Sequence, residues 1–171
     1  MLRYQVGDVV VYNGEGVCRV EAVGIPELSG LEEQKEYYTL VPLYHEGTIF
    51  IPVDTQVYMR PALSRGEAEA LIRKLPSLHP QLCQERNLRL ITEHYQALLH
   101  SHDILDTAQL IKTIYNRRQC SMERGAKPSQ LDERYMKRAE DLLHGELAYA
   151  LGISKESVPD YITRVIEPPK Q

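Results

Sequence analysis

Hydrophobic and polar residues follow two different periods along this chain, and the change falls just after Pro61. Before it the pattern is that of short strands. Val9-Val10-Val11-Tyr12 is β-branched and aromatic, and Asn13-Gly14-Glu15-Gly16 follows as a turn cluster. Val17 to Val23 then alternates, with Val17, Arg19, Glu21 and Val23 on one side and Cys18, Val20 and Ala22 on the other. A loop from Gly24 to Gln34 leads to a third strand, Glu36-Tyr37-Tyr38-Thr39-Leu40-Val41-Pro42. Gly47 to Pro52 reads as a fourth strand and Gln56 to Arg60 as a short fifth. Pro42 and Pro52 fall at strand ends, where a missing N–H costs little. Tyr37 and Tyr38 alternate in direction, so one is expected inside and the other outside. Short strands separated by turn signals predict a small, strongly bent antiparallel sheet or barrel.

Beyond Pro61 the period becomes helical. Ser64 with Glu67 has capping-box spacing and opens a helix to about Leu75. Pro76-Ser77-Leu78-His79-Pro80 is a joint, after which Leu88, Ile91, Tyr95, Leu98 and Leu99 recur on one helix face. Asp103 or Asp106 can cap the next helix, with a stripe of Leu105, Ala108, Ile111, Ile114 and Tyr115. Gly125 to Ser129 breaks it. Ser129 with Asp132 starts a long helix through Tyr135, Ala139, Leu142, Leu143 and Leu147 that ends near Gly152. A last helix holds Val158, Tyr161, Ile162 and Val165. Each stripe needs a partner, because isolated helices of this length are marginal in water. The fold class is therefore α+β: a β domain over 1–62 followed by an all-α domain over 63–171.

Composition adds limits. The chain has 171 residues, is 43% hydrophobic and carries a formal charge of −4, which suits a globular protein rather than a disordered one. No apolar run approaches the length of a membrane span. Cys18, Cys83 and Cys120 are widely spaced without a C-x-x-C, which fits a reducing cytoplasm better than a disulfide framework. Charge is distributed unevenly. Residues 1–75 hold seven basic side chains against eleven acidic ones. Between Lys112 and Arg138 the balance reverses, with Lys112, Arg117, Arg118, Arg124, Lys127, Arg134, Lys137 and Arg138 against Glu123, Asp132 and Glu133. Such a cluster is either a solvated helix face or a surface that meets phosphate.

Several sharper chemistries fail on spacing. A phosphate loop needs glycines that lead into a helix, whereas Gly16 leads into a strand and no Gly-Lys-Ser/Thr follows. His100 and His102 are two apart and diverge on a helix, and His94 and Cys83 lack a zinc spacing, so no metal site is expected. There is no G-x-S-x-G and no activated-cysteine signature, so no catalytic residue is assigned. Glu146 to Arg164 has a helix-turn-helix-like shape: apolar helix, Gly152 at the turn, Ser154 as cap, then a second helix. A recognition helix presents cations or amides at its start, but here Lys155 is accompanied by Glu156 and Asp160, which repel DNA. A packed helical corner fits better. Sequence-specific DNA reading by 146–164, acting without a protein partner, is the alternative function.

Taken in order, Val6-Gly7-Asp8-Val9-Val10-Val11-Tyr12, Gly16-Val17, Glu21-Ala22-Val23, Glu36-Tyr37-Tyr38-Thr39-Leu40 and Ile51-Pro52-Val53 resemble the RNA polymerase-interacting domain of the CarD/CdnL proteins, shared with transcription–repair coupling factors. Leu110-Ile111-Lys112 to Arg117-Arg118, and Lys137 to Ala148, are similar to that family's helical part. The resemblance implies a non-enzymatic bacterial transcription regulator without cofactor, metal or small-molecule substrate. It implies a cytoplasmic protein that makes no membrane contact. A Tudor-like antiparallel β-barrel would dock on the lobe of the RNA polymerase β subunit, partly through a sheet edge at Thr48, Ile49, Phe50, Ile51 and Pro52. The helical domain would modulate promoter complexes and hold promoter DNA weakly, without sequence preference, through Arg86, Leu88, Arg89, Arg117, Arg118, Arg124 and Lys127. Two departures stand out. Many relatives wedge a tryptophan into the minor groove, and this chain has none. Leu88 lies near that position, yet it shares the stripe of Ile91 and Tyr95 and is expected in the core. Phe50 stands where some relatives place a basic residue, so docking here would be more apolar.

Overall fold

The computed structural model describes residues 3–27, 30–31, 34–79 and 85–167. It divides the chain into two compact units, Met1–Ala62 and Leu63–Gln171. In the first, β1 (Val9–Tyr12), β2 (Gly16–Gly24), β3 (Tyr37–Pro42), β4 (Ile49–Pro52) and β5 (Met59–Pro61) form one antiparallel sheet in the order β4-β3-β2-β1-β5. Asn13 (φ 40°) and Gly16 (φ 84°) take the left-handed conformations that turn β1 into β2, and the Glu15 N–H donates to the Tyr12 carbonyl at 2.8 Å.

The sheet is open, which corrects the expected barrel. Among the described residues β4 and β5 are its two edges and do not pair. They are only four and three residues long, and each ends in a proline, Pro52 and Pro61.

Two side-chain assignments also change. The register of β2 against β3 shifts between Val20 and Ala22. This bulge at Glu21 inserts one extra residue and reverses the alternation beyond it. Ala22 is therefore exposed, and Val23 joins the cluster of Val10, Cys18, Val20, Tyr38, Leu40 and Ile51. Tyr37 and Tyr38 are both buried, at 6% and 2% exposure, although they alternate in direction. Tyr37 sits in register between Gly24 and Pro52, whose small or compact side chains leave room for its ring. Tyr38 accepts the Tyr4 N–H on its hydroxyl at 3.1 Å.

The second unit holds α1 (Arg65–Lys74), α2 (Leu88–His100), α3 (Ile104–Glu123), α4 (Gln130–Leu151) and α5 (Val158–Ile166). Single turns of 3-10 helix lie at Leu75–Ser77 and Lys155–Ser157. Each of the first four helices opens on a side chain that accepts an otherwise unpaired N–H. Ser64 and Glu67 form a reciprocal capping box, while Asn87, Asp103 and Ser129 cap α2, α3 and α4. Gly152 ends α4 in the left-handed conformation.

These helices enclose two apolar clusters. One gathers Ala68, Leu71, Ile72, Ala108, Leu143, Leu147, Ala148, Leu151 and Val158. The other gathers Ile91, Tyr95, Leu110, Ile114, Met136 and Ala139. Both α3 and α4 contribute to both clusters, so more than one stripe of α3 is covered. Leu110, Thr107 and Thr113 are buried there beside Ala108 and Ile114, while Tyr115, placed on the stripe by spacing, is 54% exposed. Cys18 is a buried free thiol, whereas Cys120 is disulfide-bonded, which corrects the reading of the cysteines as reduced. Cys83, the remaining cysteine, lies outside the described residues.

Candidate functional site

Two surfaces collect the residues singled out above, one in each unit. The first is the β4 edge. Ile51 is buried and Ile49 packs beside it against the core, so the intervening Phe50 stands on the opposite face, half-buried and opposite Thr39. Thr48 is exposed just ahead of the strand. The Val53 N–H donates to the Glu36 carbonyl at 3.1 Å. Alternate residues of an antiparallel ladder bond to the neighbour in this way, so Ile51 and Ile49 turn their main-chain groups towards β3. Phe50 then turns its N–H and C=O outward, and Pro52 offers only a carbonyl. The edge presents a short main-chain ladder framed by Thr48 and the Phe50 ring.

The other edge offers the same kind and number of outward main-chain groups. The Asn13 N–H donates to the Tyr58 carbonyl at 3.0 Å, and the Ala62 N–H to the Val9 carbonyl at 3.1 Å. The same alternation leaves Met59 and Pro61 facing outward on β5, with Met59 carrying the only N–H of the two.

The second surface lies where α2 begins and α3 ends. A cleft of about 200 Å³ is lined by Glu85, Arg86, Leu88, Ile91, Arg117, Ser121 and Arg124, three cations against one carboxylate. Four of the seven residues assigned to DNA thus share one cleft. Leu88 is not in the core. It is the first residue of α2, 63% exposed, because a side chain in the first turn has no preceding turn to pack against. Ile91 and Tyr95, one and two turns on, take the buried positions. Arg86 is exposed, as is Arg124, whose Nε donates to the Cys120 carbonyl at 3.3 Å. Lys127 is exposed two residues beyond Gly125. Arg89 faces solvent and pairs with Glu93 at 3.2 Å. Arg118 is half-buried, and its Nε has no hydrogen-bond partner among the described residues.

Arg117 differs from the rest. Its side chain is only 14% exposed, and its Nε lies 3.4 Å from Oδ2 of Asp132, itself 5% exposed. The Tyr95 hydroxyl donates to Oδ1 of Asp132 at 2.8 Å. Burial, then this bond, raises the Tyr95 pKa well beyond the ordinary phenol value. The Arg117 Nη1 donates to the Glu85 carbonyl at 2.9 Å. Lys112 is likewise turned to a structural task, since its Nζ donates to the Leu75 and Pro76 carbonyls at 2.8 and 3.1 Å. The basic run in the sequence is therefore two populations: cations that bind this protein's own carbonyls, and cations that remain at the surface.

The α4–α5 corner is built around its own contacts. Glu146 is 1% exposed and accepts the Leu63 N–H at 3.0 Å. Lys155, the base at the start of the second helix, pairs with Asp141 at 3.1 Å. Val158 is fully buried in the first apolar cluster. Among the described residues no group of three or more His, Cys, Asp or Glu side chains is placed to hold a metal. No described helix is long and apolar enough to cross a membrane.

Residues 4–63 match the family model for the CarD-like/TRCF RID domain. The β unit is therefore a CarD-like/TRCF RID domain, a match that spans residues 4–63 of the 171 and leaves the helical unit outside it.

Proposed function

We propose that this CarD-like protein docks on the lobe of the RNA polymerase β subunit through the outward edge of β4, and modulates promoter complexes through the basic cleft of its helical unit. The observation that carries the reading is the domain match over 4–63 together with the open β4 edge, where Phe50 turns both main-chain groups outward. Adding a strand to such an edge takes its affinity from main-chain hydrogen bonds and its specificity from the flanking side chains. Thr48, Phe50 and Pro52 would contribute the outer face, and Ile49 and Ile51 would hold the strand on its core.

Titration of the full-length protein with the isolated β lobe tests this docking. Phe50→Pro removes one outward N–H, and an edge position tolerates proline when that N–H faces solvent. Binding should be lost while the fold is kept. Phe50→Ala should weaken binding less, since the ladder survives. Undiminished binding by Phe50→Pro would move the docking surface elsewhere.

For DNA, the cleft concentrates Arg86 and Arg124 beside the exposed Leu88, and Arg89 and Lys127 are exposed nearby in sequence. Contacts of this kind neutralise phosphates without reading bases, so binding would be weak and salt-sensitive.

A further inference from the structure

The Tyr95–Asp132–Arg117 chain lies beneath the basic cleft, and its last link does not stop at α3. The Arg117 Nη1 bond to the Glu85 carbonyl, at 2.9 Å, reaches the segment that leads into α2. The Glu85 carboxylate in turn accepts the N–H groups of Arg86 and Asn87 at 3.0 Å each. Asn87 then caps α2 by accepting the Arg89 and Leu90 N–H groups at 3.0 and 3.4 Å. A continuous path therefore runs from a carboxylate on α4, through a guanidinium on α3, to the main chain that carries Arg86 and Leu88. Asp132 is fixed at its own end as well, because its N–H donates to the capping Ser129 hydroxyl at 3.1 Å.

We infer that Arg117, held by Asp132 and Tyr95, is a positioning residue: it fixes where Arg86 and Leu88 stand at the lip of the cleft and is not itself a ligand of DNA phosphate. The inference rests on the cleft's reading as a DNA contact. Its physical basis is that two of the guanidinium's nitrogens are engaged inside the protein, in a fork that a compact ammonium cannot reproduce. A phosphate ligand and a positioning residue respond differently to substitution. A ligand is replaced tolerably by another cation, and its loss lowers the salt dependence of binding. A positioning residue is not rescued by lysine, and the slope is unchanged because no phosphate contact is removed.

The test titrates a fluorescein-labelled duplex with the full-length protein over a range of salt concentrations. Arg86→Gln and Arg124→Gln should each lower affinity and reduce the slope of log K against log[salt] by about 0.9. Arg117→Lys should lower affinity roughly 3- to 10-fold, the range that one lost hydrogen bond spans, with the slope unchanged. Tyr95→Phe, which removes one hydroxyl and keeps the ring, should act in the same direction by a smaller factor. Both should speed amide exchange at residues 85–90, which a ligand's loss would leave alone. Wild-type affinity in Arg117→Lys, or a slope reduced by about 0.9 in Arg117→Gln, would make Arg117 a phosphate ligand and overturn the inference. If Arg86→Gln and Arg124→Gln leave affinity unchanged, the DNA reading itself fails and the inference falls with it. If only the Arg117 variants fail to respond, the inference alone is lost.

Discussion

The β unit and the helical unit bury different kinds of side chain. The β core is made of Val10, Cys18, Val20, Tyr38, Leu40 and Ile51, and the fully or nearly buried polar residues Thr107, Thr113, Asp132 and Glu146 all belong to the helices. The difference follows from how each architecture fixes its geometry. In a sheet the main-chain ladder sets the register, and a slip by one residue would turn the whole apolar face to water. Side chains need only fill the space. Helices satisfy their main chain internally, so apolar stripes allow them to slide and rotate against each other. Here directional bonds supply the missing constraint. Asp132 joins α2, α3 and α4, and Glu146 ties α4 to the residue that precedes the Ser64 cap of α1. On the reading proposed above, the two units would meet partners differently, the first with an outward main-chain edge and the second with side chains whose places are set by a buried network.

This contrast can be broken most directly at Asp132. Asp132→Ala leaves Arg117 buried without its counter-charge and should cost the helical unit about 3–5 kcal/mol. Region-resolved hydrogen exchange in denaturant would show the helices losing protection while β1–β3 keep theirs. Equal loss in both units would mean that the network does not act locally. Leu40→Ala is the reciprocal experiment. It opens a cavity in the apolar β core and should cost roughly 3 kcal/mol, read from the shift of the β unit's unfolding midpoint with the helical amides unaffected.

A smaller effect sharpens the entry to the helices. Ser64→Ala removes half of the capping box and should destabilise α1 by ~1 kcal/mol, with Ser64→Gly costing less. A larger effect of glycine than of alanine would show that backbone restriction matters more there than the cap bond.

The smallest expected effect concerns pH. Burial, with Lys155 adding to it, lowers the pKa of His144 below 6.5, while Glu140 and Asp141 oppose the shift. A lowered value means that the unfolded chain binds the proton more readily, so the contribution of neutral His144 is present above the ordinary value and is lost as pH falls below it. His144→Asn should flatten the acid limb of the helical unit's stability curve. The β unit has the opposite sign at Cys18, whose thiol burial pushes up from 9.0 to about 11, Glu15 adding a lesser push. Its contribution is complete below 9.0 and is lost as pH rises towards the folded value, so Cys18→Ala should flatten the alkaline limb instead.

Local chemistry made much of this legible in advance. Ser64, Asp103 and Ser129 act as caps, Gly152 ends α4, and Asn13-Gly14-Glu15-Gly16 turns a hairpin, because each depends on residues only a few positions apart. The β4 edge could be placed from sequence by resemblance, but its outward main chain could not. That orientation depends on which residues of β3 it pairs, and pairing is a long-range property.

The cleft shows the same division. The sequence by itself determined the α+β order, the helix boundaries to within a residue or two and the excess of cations from Lys112 to Arg138. Only the tertiary structure decided that Leu88 is exposed while Ile91 is buried, that a bulge at Glu21 exchanges Ala22 for Val23 in the core, and that Lys112 and Arg117 face inward while Arg86 and Arg124 meet water. The physical reason is that a cation's charge is written in its residue type, but its counter-charge is not. Asp132 lies 15 residues from Arg117 and 37 from Tyr95 along the chain, and nothing short of the packed helices brings the three together.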